Sequence, residues 1–372
     1  DGRVVTMAPD RANPHSQGHV CIKGMAAPDV VYDPDRVTRP LKRVGEAGHF
    51  VPVSWDAALN DIAQRLSEIR DGHGGETIAS YLGNPAGYSC DTILSFSGLM
   101  AAMGSTRLYG AGSQDVNARL AANYFAYGSS WSTTIPDLAA CDFLIVLGAN
   151  PLVSNGSLLW APRIRHDLDA IAERGRVVIV DPRRTETAKR YEHVFIQPGG
   201  DVWLLLGMLR VLVDEDLVDP AVAERDVAGW PELCEELAEW DLAVCARRSS
   251  IDPGVIANLA RSFVLAGRAS IYGRVGICRG ANATLTNFLL TAFNAVTGSH
   301  DRAGGTMFGF QALAVPKPSI GGYGETRTRT GGVPGVAGYL ATAMMPDDIL
   351  EPGPDRVRAL LVIAGNPLLS SP

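Results

Sequence analysis

No stretch of about 18 consecutive apolar residues occurs, so nothing in the chain reads as a membrane span. Lysine and arginine never gather into a basic block and the net charge is −7, which argues against nucleic acid as the main partner. The six cysteines, Cys21, Cys90, Cys141, Cys234, Cys245 and Cys278, have no paired rhythm. That excludes a disulfide framework and fits a reducing, cytoplasmic compartment, with an export signal ahead of the chain left open. Gly-x-Ser-x-Gly and His-Glu-x-x-His are absent, so hydrolase readings lack support. A Gly-x-Gly-x-x-Gly straight after a first strand is absent too, which removes the usual mark of a nicotinamide dehydrogenase. The seven histidines show no metal-ligand spacing. There is no start Met or targeting segment, and no helix is expected to cover the last strand; the chain reads as a fragment.

What the sequence does have is glycine and proline. Gly 40 and Pro 23 in 372 residues imply many tight turns and backbone-lined sites. With 46% hydrophobic and 20% charged residues, the chain has material for two or three soluble globular domains. Its most telling feature is repeated. The apolar run 142–147 stops at Gly148-Ala149-Asn150-Pro151, and the run 360–363 stops at Ala364-Gly365-Asn366-Pro367. Both turns continue with Leu. A third turn of this kind, Gly83-Asn84-Pro85, closes the expected strand 77–82. A buried parallel strand ending in Gly and Asn presents bare backbone at its carboxyl edge, where open α/β sheets bind nucleotide-like ligands.

Between these marks, short apolar runs alternate with helical periodicity. Strands are expected over 77–82, 107–109, 143–147, 176–180, 194–197 and 269–272, and helices over 55–69, 91–103, 115–127, 158–174, 203–213 and 283–297. Trp55, Ala58, Leu59, Ile62 and Leu66 form one apolar face of the first helix. The expected class is α/β, with doubly wound, mostly parallel sheets in two related halves after an irregular N-terminal segment. Four consecutive segments follow: an incomplete one over 1–50, a first dinucleotide-binding region over 51–215, a helical acidic cover over 216–268, and an incomplete second dinucleotide-binding region over 269–372. Residues 303–356 show little periodicity and read as functional loop.

Several segments together resemble the molybdopterin oxidoreductases of the dimethyl-sulfoxide-reductase family. They are Asp1-Gly2-Arg3-Val4-Val5, Gly18-His19-Val20-Cys21-Ile22-Lys23-Gly24, Pro34-Asp35-Arg36-Val37, Pro40-Leu41-Lys42-Arg43, the Gly-Ala-Asn-Pro turn, Asp181-Pro182-Arg183 and Gly199-Gly200-Asp201. Each is weak alone; their order and spacing are specific, and they span nearly the whole chain. The resemblance implies the catalytic subunit of an enzyme that holds molybdenum or tungsten between two pterin guanine dinucleotides. It also implies a [4Fe-4S] cluster, a small-molecule redox substrate and an electron-transfer partner protein. The family also contains a cofactor-free rival, the large subunit of respiratory NADH dehydrogenase, which serves as an electron-transfer scaffold.

Residue by residue, the resemblance makes Cys21 the fourth thiolate of the cluster, whose other cysteines lie outside this sequence, and puts Lys23 on the electron path toward the pterin. The metal-facing position falls on Asp115, after a strand and the turn Gly110-Ala111-Gly112-Ser113-Gln114. A hard carboxylate suits an oxo-transfer metal, although an Asp there equally suits a helix cap. Ser113, or no side chain at all, are the alternatives. Formate dehydrogenases of the family carry selenocysteine or Cys followed by His; here Asp115 is followed by Val116. For the first dinucleotide the implied contacts are Gly148, Asn150, Pro151, Ser154, Asp181, Arg183, Gly200 and Asp201. For the second they are Gly273 and Gly276, with Gly365 and Asn366 as counterpart turn. Gly83 and Asn84 are further candidates, and His300 lies in the expected pterin loop. Plain turns and helix capping are the competing explanation for each.

Overall fold

The computed structural model describes residues 2–156, 158, 159, 161–309 and 322–371. By internal contacts the chain forms two units, Asp1–Ser113 with Gly324–Pro372, and Gln114–Tyr323. The first unit is discontinuous in sequence, because strand pairing joins distant parts of the chain. The parallel strands are β1 (Ile78–Leu82), β2 (Leu108–Gly110), β3 (Phe143–Leu147), β4 (Arg176–Val180), β5 (Glu192–Val194), β6 (Ala269–Gly273) and β7 (Ala359–Ile363). The helices used below are α1 (Trp55–His73), α2 (Cys90–Met103), α3 (Asn117–Tyr127), α4 (Ile164–Arg174), α5 (Asp201–Asp214), α6 (Pro220–Asp226), α7 (Trp230–Ala238), α8 (Leu242–Ser249), α9 (Pro253–Ala266) and α10 (Ala283–Val296).

In the Gln114–Tyr323 unit four parallel strands lie in the order β5-β4-β3-β6. Alternate side chains of β3 divide between two cores. Phe143, Ile145 and Leu147 pack on one face with α5, α9 and α10, while Leu144 and Val146 pack on the other with α4. Both faces are covered, which is why β3 and β4 read as unbroken apolar runs. The chain steps outward from β3 to β5 and then crosses back to place β6 on the other side of β3. That reversal makes the crevice at the carboxyl ends of β3 and β6 the topological switch point.

The other unit repeats the logic with three strands, ordered β7-β1-β2. Here β2 lies on one side of β1 and β7 on the other, so the switch point falls between β1 and β7. Ser54 caps α1 by accepting from Ala57 N at 3.2 Å, and Gly74, at φ 88°, ends it. Residues 2–40 are mostly irregular, with two short helical turns at Ile22–Met25 and Ala27–Val31.

Several boundaries differ from the sequence reading. Helix α3 begins at Asn117 rather than 115, with Val116 as its N-cap. The helix expected over 158–174 starts only at Ile164, because Leu158 sits at φ 62° and Pro162 interrupts. Strand β5 precedes the expected 194–197. On α1 only Leu66 of the apolar face is buried; Trp55, Leu59 and Ile62 are exposed. The stretch 303–356 is not structureless. Thr306–Phe308 pairs antiparallel with Thr134–Pro136, Tyr323–Arg327 pairs with Pro334–Val336, and Met345–Leu350 is helical. Within it, residues 310–321 lie outside the described residues.

Candidate functional site

The switch point of the larger sheet is built from two glycine turns in contact. Gly148 follows β3 at φ 54°, a left-handed conformation that disfavours side chains. Gly276 N donates to Gly148 O at 3.0 Å, and Arg274 N donates to Leu147 O at 3.2 Å. A Cβ on Gly148 would stand 2.8 Å from Gly276 Cα. The turns after β3 and β6 therefore lie backbone to backbone, with no side chain between them. Gly273 and Gly276 were expected at a second site; they share this one with Gly148, because β6 is the direct neighbour of β3. Their expected companions Gly365 and Asn366 belong to the other unit.

Asn150 is committed to structure. Its Oδ1 accepts from Thr187 N at 3.2 Å and Thr187 Oγ1 at 2.8 Å, and its Nδ2 donates to Glu186 Oε2 at 2.6 Å. These bonds pin the β3 turn to the loop after β4, and Pro151 starts a short helix that carries Ser154 to an exposed position. Arg183 and Arg184 are exposed on that loop, and Arg183 Nη2 lies 3.4 Å from Glu186 Oε2.

Two carboxylates meet at the neighbouring strand ends. Asp181, after β4, accepts from Arg183 N at 2.8 Å, the local turn bond that the capping explanation foresees. Asp201 opens α5 behind Gly200, and Gly200 gives the helix no side-chain cap. Burial lifts the Asp201 carboxyl to about 6, the charge of Asp181 adds to the rise, and its own backbone N–H opposes it.

Asp115 is neither a helix cap nor wholly free. Its Oδ1 lies 3.4 Å from Arg274 Nη1, so it ties the start of α3 to the turn after β6. The alternative Ser113 accepts from Thr342 N at 3.1 Å. Arg119 was missed in the sequence. Its guanidinium donates to Gly273 O at 3.1 Å and Thr134 O at 2.9 Å, and desolvation lowers its pKa. A lone Arg inside an otherwise apolar helix face was the available signal. Glu186 and Thr187 were missed as well; only the cluster of turn residues after Asp181 hinted at them.

In the smaller sheet the second glycine pair repeats the contact. Gly83 N donates to Ile363 O at 2.8 Å. A Cβ on Gly83 would run into the Ala364 carbonyl and stand 2.7 Å from Gly365 Cα. Asn84 and Asn366 are exposed at this edge.

Cys21 precedes the helical turn Ile22–Met25. Backbone N–H groups of Gly24 and then Lys23 lower its thiol pKa, with a smaller contribution from the Lys23 charge. A sulfur in this nest of amides is disposed to be a thiolate, the form that ligates iron. Lys23 is exposed beside it. Among the described residues no three His, Cys, Asp or Glu side chains gather into a metal cluster.

Residues 36–352 match the model of the molybdopterin oxidoreductase family, and residues 1–33 match its Fe4S4 domain. The chain belongs to the molybdopterin oxidoreductase family. It is 25% identical over 306 residues to the F420-dependent formate dehydrogenase subunit alpha of Methanocaldococcus jannaschii, covering 82% of this chain and 44% of that one. To the assimilatory nitrate reductase catalytic subunit of Bacillus subtilis it is 27% identical over 391 residues, covering 97% and 52%. The solved acetylene hydratase from Pelobacter acetylenicus superposes with a TM-score of 0.68 at 26% identity, covering 82% of this chain and 41% of that one. This molybdopterin oxidoreductase chain thus spans about half the length of the curated relatives it matches. The α/β class with parallel sheets is what the structure has, and no helix among the described residues is long and apolar enough to cross a membrane.

Proposed function

We propose that this chain is the cofactor-holding part of a molybdenum or tungsten oxidoreductase catalytic subunit, with a guanine dinucleotide of the pterin cofactor on each parallel sheet. The supporting observation is that in both sheets a glycine-on-glycine contact coincides with the topological switch point. There the bare backbone at Gly148 and Gly276, and at Gly83 and Gly365, leaves room for a diphosphate to approach main-chain amides. Asp181 follows β4, the strand next to β3, and Gly200 and Asp201 follow β5 beyond it; there the carboxylates would accept guanine or ribose donors, and exposed Arg183 would neutralise phosphate. The metal-pterin group, when bound, supplies the two-electron chemistry, and the cluster carries single electrons. The chain's own task is to bind, orient and hold charge.

Cys21 is the chain's contribution to a [4Fe-4S] cluster, with Lys23 on the electron path between pterin and cluster. Cys21→Ala in full-length protein is expected to remove the low-temperature electron spin resonance signal of the reduced cluster. An unchanged spectrum would refute this role.

For Asp115 the ion pair with Arg274 favours a different part from the metal-facing one. It latches α3 to the β6 turn, so Asp115→Asn and Arg274→Gln should lower pterin retention alike while the metal-to-pterin ratio stays constant. Loss of metal in Asp115→Asn alone, at normal pterin content, would instead make the carboxylate a ligand through Oδ2.

A further inference from the structure

The helical segment after α5 has a charge out of keeping with the rest of the chain. Residues 214–241 hold eleven carboxylates and one arginine, a net charge of −10 against −7 for the whole chain. Only three of the eleven are ion-paired among the described residues: Asp214 with Arg210, Glu215 with Arg261 and Asp226 with Arg225. Asp216, Glu224, Glu232, Glu235, Glu236 and Glu239 are exposed. A solvated acidic face alone would be unremarked, but two of these carboxylates, Asp216 and Glu224, line an apolar groove.

The groove is a cavity of about 490 Å³ between α6 and α7, floored by the end of α5. On α6 and just beyond it, Pro220, Ala223, Glu224 and Val227 face it at helical spacing. Trp230 and Cys234, one turn apart on α7, form the opposite wall. Leu212, fully buried, closes the floor. Asp216 and Glu224 stand at its edge, and no lysine or arginine lines it. A volume of this size suits a few large apolar side chains, and a carboxylate edge favours a cationic surround.

We propose that this groove receives an amphipathic helix of a partner polypeptide that carries lysine or arginine on either side of its apolar stripe. Apolar anchors at i, i+3 or i+4, and i+7 enter between Val227 and Trp230, and the basic flanks meet Asp216 and Glu224. Burial supplies the holding energy, and complementary charge supplies selection and approach rate.

The test uses full-length protein and a labelled synthetic peptide of about five helical turns, with Leu on one face and Lys on both flanks. Binding is read by fluorescence anisotropy at about 50 and about 300 mM salt. Saturable binding is expected, weakened by salt and weakened at least about tenfold by the double variant Asp216→Arg, Glu224→Arg. That variant should in turn accept the same peptide with Glu in place of Lys, which shows that it is folded and that charge sets the choice. Three results would overturn the proposal. One is no binding to the parent protein. Another is equal binding of a peptide with Ser in place of Leu, which would mean bulk charge alone. The third is self-association of the protein that the double variant abolishes, which would make the occupant a second copy of this chain.

Discussion

Gly148→Ala is expected to destabilise the Gln114–Tyr323 unit by about 2–4 kcal/mol and to empty it of cofactor. Two effects add. The left-handed φ of 54° disfavours any side chain, and the new Cβ meets Gly276 Cα at 2.8 Å and Ile277 N at 3.0 Å. Both obstacles are backbone of the adjoining turn, which cannot swing aside as a long side chain does. Gly199→Ala provides the control. Gly199 has a φ of 79° but nothing within 4 Å of its would-be Cβ, so only the conformational cost remains, about 1 kcal/mol. Thermal melts of the two variants should differ clearly. Equal melting points would mean that the two glycine turns are not in contact.

Asp201→Asn should act in opposite directions on fold and cofactor. Its carboxyl is raised from 3.8 to about 6 in the folded chain. The native state therefore holds this proton more tightly than the unfolded state does. The associated stability is complete below the unfolded value and is lost as pH rises through about 6. At pH 7.5 the ionised carboxylate costs the cofactor-free fold on the order of 1–3 kcal/mol. Asn removes that cost, so cofactor-free Asp201→Asn should melt higher than the parent at pH 7.5, and the gap should close near pH 4. With the proposed guanine contact, the same change removes a charged acceptor and should lower nucleotide retention about 10- to 100-fold. Retention is read as guanine released on acid treatment after gel filtration. If melting point and retention fall together, Asp201 is a structural group and the guanine assignment fails.

The parts of the fold governed by local pattern were legible in the sequence. Strands β3 and β4 could be read to the residue because both faces are buried, and an unbroken apolar run bounded by turns has few other meanings. Helices α2 and α10 were marked by periodicity. The neighbours of each strand were not legible. That β7 lies beside β1 across most of the chain, and β6 beside β3, is decided by crossover connections and packing, which leave no local trace. Short elements such as Thr306–Phe308 are stabilised by partners far away in sequence, so their segment looked structureless.

The site divides in the same way. Glycines at strand ends could be read from the sequence, because conformation selects that residue type where two turns lie backbone to backbone. Arg274 and Glu186 were not visible, since an exposed turn arginine and a buttressing one look alike in sequence. Asp115 was read as metal-facing or as a helix cap; its contact with Arg274 could come only from three dimensions.

A chain that holds a metal-pterin cofactor on its two sheets must carry both metal and pterin when purified. Elemental analysis combined with pterin fluorescence on full-length protein, purified from cells competent in cofactor synthesis, tests it most directly. The expected result is molybdenum or tungsten with about two pterins per metal, one for each glycine-paired switch point. Protein free of both metal and pterin would contradict the claim and make the chain an electron-transfer scaffold that keeps the fold without the cofactor.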